Sequence, residues 1–196
     1  MAVTVSVYNN LPTLEEADQR FVDRSRVLRD LKDLLAKYDN VYGLCLVHAH
    51  CQLNEGEIML AQGNTTQPES IDSMENCHPE RWLPSGKPYE FTTRETVPPP
   101  ADLLKSFNEL TYGIDVLGLY HVDDKNTGKM IEHTVGRKNI LSSFDDPNAL
   151  QPGDYIETAW DLGKGDPVTM TCVIYCDTRS TRSGGTHKGT KSHVKQ

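Results

Sequence analysis

At 196 residues the chain is long enough for one domain with a sizeable core. No run of eighteen apolar residues occurs, which excludes a membrane-spanning helix, and the net charge of −8 argues against general nucleic-acid binding. Five cysteines is an odd number and too few for a disulfide scaffold at this length, so reduced thiols are expected.

The opening segment, MAVTVSVYNNLPT, lacks a basic stretch followed by a long apolar one. No signal peptide is therefore expected, and the cytoplasm is the expected compartment. The first dozen residues read as an extended arm. Thr13 and Glu16 then form a capping-box pattern, and Leu14, Ala17, Phe21, Leu28, Leu31 and Leu35 recur at helical spacing, predicting one helix from Leu14 to about Tyr38. VYGLCLVHA reads as a buried strand, GEIMLAQGN as its hairpin partner, and CQLNE as the connection. Residues 65–100 are rich in turn formers and are expected to wrap the body as a long loop of the kind that covers binding sites. VPPP leads to a second helix carrying Leu103, Leu104, Phe107 and Leu110 on one face, stopped at Gly113. IDVLGLYHV, KMIEHTVG, PGDYIETAWDL and VTMTCVIYC are the remaining predicted strands.

The segments DLLAKYDNVYG and DLLKSFNELTYG each precede a strand and then GEIML or GKMIE, which suggests a helix–strand–strand internal repeat. The expected fold class is therefore α+β: an antiparallel sheet with two helices on one face. One domain is expected over residues 1–176, followed by a basic tail over 177–196. That tail carries a net +4, leaving −12 for the remainder, so it could screen the body or touch an acidic partner.

Two places carry candidate chemistry. The first is VHAHCQLNEGE. Residues two apart on a strand share a face, so His48 and His50 would lie side by side as metal ligands, with Glu55 or Glu57 completing the ligand set or acting as base on bound water. The loop motif CHPERW could bring His78 over this site as a further catalytic group. The alternative is a hydrogen-bonded histidine pair at a strand end. The second place is C-x3-C-x10-H-x5-H, formed by Cys172, Cys176, His187 and His193, which is close to two-cysteine, two-histidine zinc spacing. A straight strand would hold its two sulfurs roughly 13 Å apart, so a bend after Ile174 is required. The alternative there is a pair of core cysteines ahead of a disordered tail.

The pattern G-x4-H-x-H-x4-E-x7-G, from Gly43 to Gly63, resembles the first motif of the cupins. That resemblance implies an all-β barrel with a metal held by His48, His50, Glu55 and either His121 or His133. LVHAHCQLNEGE and SGGTHKGTKSH together resemble segments of a set of small fungal proteins of unassigned function, which brings no activity with it.

Two functions remain open from these residues. One is a metal-dependent enzyme, with zinc as the leading divalent ion, acting on a small organic substrate through the His-x-His/Glu site. The other is a non-catalytic domain that binds a small ligand or a protein partner, with or without a structural zinc at the C-terminus. No G-x-S-x-G elbow and no dinucleotide fingerprint is present.

Overall fold

The strand formed by the first apolar run, β1 (Tyr42–Leu46), is buried at every position because it is packed on both faces. A computed structural model describes residues 5–122, 128–144, 153–162 and 170–178. Within it β1 pairs antiparallel with β6 (Leu117–His121) on one side and with β9 (Tyr155–Asp161) on the other. The other strands are β2 (Glu57–Gln62), β3 (Thr65–Ser70), β4 (His78–Trp82), β5 (Pro88–Thr92), β7 (Met130–Val135), β8 (Lys138–Ser143) and β10 (Thr171–Asp177). They close a barrel in the order β1-β6-β4-β5-β2-β3-β8-β7-β10-β9. The β2–β5 and β7–β10 pairs are parallel and the rest antiparallel, so the barrel is mixed.

This corrects the expected α+β sheet with two helices on one face. Helices do occupy most of the expected Leu14–Tyr38 segment and the segment after VPPP, but they pack outside a closed barrel. α1 (Val5–Asn9), α2 (Leu14–Arg20), α3 (Arg24–Ala36) and α4 (Ala101–Leu110) are the described α-helices. The arm expected to be extended contains α1, and its Tyr8 is fully buried. The Thr13–Glu16 capping box is present, but the single helix expected after it breaks at Asp23, whose φ is +52°. Arg24 secures that elbow by donating Nε to Phe21 O at 3.2 Å while its guanidinium lies over the Phe21 ring.

Leu14, Leu31, Leu35, Leu103 and Phe107 on the helices, with Phe21 from the elbow between α2 and α3, bury against Leu44, Leu46, Leu117, Leu119 and Trp160 of the barrel. Each fully buried side chain of this kind contributes about 1.5–3 kcal/mol. The opposite face of β1 looks into the barrel, where Cys45 packs with Val47, Met59, Tyr89, Tyr120 and Ala159, and Tyr8 closes the group from α1.

The expected helix–strand–strand order does occur twice, as α3–β1–β2 and α4–β6–β7, and the pairings β2–β3, β2–β5 and β4–β5 recur as β7–β8, β7–β10 and β9–β10. The two strands that follow each helix do not form a hairpin of their own, since β1 pairs with β6 and β9 rather than with β2. The long loop expected over residues 65–100 is also corrected, because it supplies β3, β4 and β5. Their prolines explain the faint signal. Pro68 lies on the part of β3 beyond its short pairing with β8, Pro79 lies on the part of β4 beyond its pairing with β6, and Pro88 begins β5. A residue without an N–H is tolerated at such places. Asp177, where the basic tail is expected to start, ends β10, and residues 179–196 of that tail lie outside the described residues.

Glycine is required where β1, β6 and β4 meet. A Cβ on Gly118 would lie 2.4 Å from Trp82 O and 2.9 Å from Val47 Cγ2. The first contact is with backbone and cannot be relieved by a rotamer change. Gly118→Ala is expected to destabilise the chain by about 1–3 kcal/mol in urea unfolding. Gly128→Ala, with nothing among the described residues within 4 Å of the added atom, is expected to leave the midpoint unchanged.

Candidate metal centre

Just past the end of β1 the chain is held by contacts outside the barrel ladder. Val47 N donates to Val116 O at 2.8 Å, Ala49 N to Pro12 O at 3.0 Å, and His50 N to the Tyr8 hydroxyl at 3.1 Å. These bonds fix His48 and His50, whose rings lie 4.6 Å apart at 66°. His48 Nδ1 donates to Leu46 O at 2.8 Å. That bond sets the tautomer and makes Nε2 the basic nitrogen, the usual preparation of a metal-ligating imidazole.

Glu132 enters from β7. Ligand atoms of His48, His50 and Glu132 all lie within 4.8 Å of one another, and all three residues are buried. Around them stand Glu90 from β5, Arg81 from β4 and Cys176 from β10. Arg81 Nε donates to Glu90 Oε2 at 3.1 Å and Nη2 to Glu132 Oε1 at 3.3 Å. The Cys176 thiol donates to Glu132 Oε2 at 2.9 Å and lies 3.7 Å from His48 Nε2. Glu132 is thus held from two directions before any ion is considered.

Strand irregularities deliver these side chains. Between β4 and β5 the register moves from Pro79↔Phe91 to Arg81↔Glu90 and then to Trp82↔Pro88. The two steps are bulges of opposite sense. The first allows consecutive residues Glu80 and Arg81 to line one cavity, and the second leaves Tyr89 and Glu90 both buried.

The electrostatics favour neutral nitrogen donors. Burial lowers the His48 pKa from 6.5 to about 4, assisted by Arg81 and opposed by Glu132 and the Leu46 carbonyl. Burial, His48 and Arg81 hold His50 well below the ordinary histidine range. Burial and then Glu132 push the Cys176 thiol well up, so it stays protonated. Burial also raises Glu90 to about 7, against the pull of Arg81. For Arg81 burial acts downward, but the two carboxylates more than offset it and the guanidinium stays charged.

Arg81 and Glu132 also line a cavity of about 340 Å³. It lies toward the barrel end marked by Gly63, Asn64, His121 and Val122. Tyr120, Asp161, Asn139 and Thr92 add polar groups to its wall, with the Tyr120 hydroxyl donating to Asp161 Oδ2 at 2.9 Å. The two histidines and Glu90 are not among its lining residues, so Glu132 and Arg81 form the partition between cavity and cluster.

The residues singled out in the sequence are thereby distributed. His48 and His50 lie in the cluster. Glu55 is exposed on the connection before β2. Glu57 belongs to a surface ion pair with Arg137, whose hydrogen bonds lower its pKa to about 2. His78 is the first residue of β4, in register with Thr92, and does not belong to the ligand cluster. His121 stands at the cavity wall, and His133 Nδ1 is paired with Asp177 Oδ2 at 3.0 Å. Cys172 packs in the outer core and donates to Ile174 O at 3.2 Å, whereas Cys176 reaches the cluster. His187 and His193 lie outside the described residues.

Glu132, Glu90 and Arg81 were not anticipated. The available signal was slight: Glu90 is a lone charge between Tyr89 and Phe91, whereas Glu132 lies in the mixed run MIEHTV and Arg81 stands beside Glu80 in HPERW. No family model, curated protein or solved structure matches the chain.

The lowered histidine pKa has a measurable consequence. At pH between about 6.5 and 4 the unfolded chain protonates His48 and the folded chain does not, so stability present above 6.5 is lost as pH falls. The shift corresponds to roughly 3 kcal/mol. Glu90 acts in the opposite sense: its contribution is fully present below the ordinary carboxylate range and is lost as pH rises through about 7. Urea midpoints from pH 7 to pH 4 are expected to fall more steeply for the metal-free wild-type chain than for His48→Gln. Parallel curves would show that His48 is not held neutral.

Proposed function

We propose that the barrel binds one divalent metal ion through His48, His50 and Glu132 and is a metal-dependent enzyme acting on a small organic substrate. The observation that carries the reading is the convergence of three buried donor atoms within 4.8 Å. Two neutral imidazoles and a carboxylate suit zinc, iron(II) or manganese(II) with positions left for water or substrate. Such an ion supplies Lewis acidity and a water ionised near neutral pH. The chain's own part is to fix the donors, through the Leu46 carbonyl on His48 and Arg81 on Glu132, and to keep them out of bulk water. The cavity beside Glu132 is of a size for a small polar molecule.

Metal analysis of the untagged full-length chain, supplied with zinc and desalted, tests this. Near one equivalent is expected in the wild type. Less than about a tenth of that is expected in His48→Ala/His50→Ala, with a reduced content in Glu132→Gln, each variant being checked for native circular dichroism. A metal-free wild type overturns the proposal.

One observation favours a second reading, a non-catalytic ligand-binding barrel. Arg81 already bridges both carboxylates and the Cys176 thiol already donates to Glu132, so much of the network is satisfied within the protein. On that reading the cavity binds its ligand directly and metal removal leaves binding unchanged.

A further inference from the structure

We propose that Glu90 is a fourth ligand of this centre and that Arg81 is the residue that aims it; the inference rests on the metal reading above. Arg81 takes one oxygen from each carboxylate, Glu90 Oε2 at 3.1 Å and Glu132 Oε1 at 3.3 Å. The second oxygens, Glu90 Oε1 and Glu132 Oε2, lie 3.8 Å and 4.0 Å from the same atom, His50 Nε2. A planar fork on one side thus turns two carboxylates toward one imidazole on the other.

Glu90 carries the second observation. Its residue is only 2% exposed, and Oε1 has no hydrogen-bond partner among the described residues. A buried carboxylate oxygen without a donor is costly and uncommon in a folded chain. A cation between Glu90 Oε1, Glu132 Oε2 and His50 Nε2 satisfies it. Donors held about 2.0–2.2 Å from one ion stand roughly 3–3.5 Å apart. The two contacts to His50 Nε2 need to close by about half an ångström, and Glu90, which lies outside the set of donor atoms within 4.8 Å of one another, has to swing further to meet the remaining donors. When the ion takes Glu132 Oε2, Cys176 has the Thr158 hydroxyl at 3.6 Å as an alternative acceptor. The donor set becomes two imidazole nitrogens and two carboxylate oxygens, which suits a five- or six-coordinate divalent ion with one or two positions left for water or substrate.

Co²⁺ is the probe, because its visible spectrum reports both occupancy and coordination. The full-length wild type is expected to bind one equivalent. Glu90→Gln, of the same shape but without the charge, is expected to bind about 100-fold more weakly with a changed spectrum. Arg81→Lys keeps a positive charge but cannot bridge both carboxylates, and a loss of about tenfold with an altered spectrum is expected. Unchanged affinity and spectrum in Glu90→Gln overturn the ligand assignment, and unchanged values in Arg81→Lys overturn its positioning role. Diffraction from wild-type crystals soaked with Zn²⁺ decides the point without any variant. An ion about 2.0–2.2 Å from Glu90 Oε1 supports the assignment. An ion on His48, His50 and Glu132 with Glu90 turned away overturns it. A wild type that takes up no Co²⁺ overturns the metal-centre reading and this proposal together, an outcome distinct from failure of Glu90 alone.

Discussion

Arg81, donating to two buried carboxylates inside the barrel, is the interaction on which the interior depends. A guanidinium and two carboxylates withdrawn from water carry a desolvation cost of several kcal/mol per ion, which their mutual attraction only partly returns. Apolar side chains of similar volume would fill the same space at no such cost. Removing one partner of such a cluster is far worse than never having built it, since it leaves a buried charge uncompensated. The cluster is therefore poor evidence of stability and good evidence of a constraint other than stability. The compensating term lies elsewhere. The helices α2, α3 and α4 bury their apolar faces on β1, β6 and β9, and that outer core stabilises a barrel whose interior is partly polar.

The barrel's irregularity follows from the same requirement. In a regular strand only alternate side chains reach one face, and a one-residue slip exchanges the two faces. The bulges between β4 and β5 let neighbouring residues enter the interior without shifting the rest of the ladder. Trp82 therefore still packs in the outer core although the residue before it is the central cation. A similar pair of register shifts between β9 and β10 brings both Val173 and Ile174 to the cavity wall. The polar centre and the apolar outer core are thus made from the same strands.

The legible parts of the fold were those governed by local chemistry. The Thr13–Glu16 box, the apolar stripe of α3 and the run that forms β1 all follow from spacing within a few residues. β3, β4 and β5 were illegible because proline and polar side chains occupy positions where only one side of a strand is paired. Barrel closure was not legible in residue spacing, although the cupin resemblance implied an all-β barrel: β1 meets β6 and β9 from more than 70 and 110 residues away, and no local pattern encodes such a pairing. The candidate site divides in the same way. His48 and His50 are close in sequence and could be weighed as a pair. Glu132, Glu90 and Arg81 converge only through closure, whereas the acids nearest the histidines in sequence, Glu55 and Glu57, lie on the surface. Proximity in sequence is a poor guide to ligands contributed by different strands of a barrel.

The charge balance of the cluster adds a last step. With both imidazoles neutral and Cys176 protonated, Arg81 is the cation that bridges the two carboxylates. One guanidinium cannot fully compensate two acids in a medium of low dielectric; burial first, and then the charges of Glu132 and Glu80, raise Glu90 to about 7 against the pull of Arg81. A cluster with only a structural role could remove that deficit by placing glutamine at position 90, which would keep the hydrogen bond and drop the charge. The carboxylate instead leaves a residual negative potential at the point where two basic imidazole nitrogens converge. A divalent cation is the simplest species that answers both features at once, being neutralised by the carboxylates and ligated by the nitrogens. Because Glu132 and Arg81 also face the cavity, whatever enters that cavity meets groups already in contact with the cluster. Access and charge compensation therefore converge on the same two side chains.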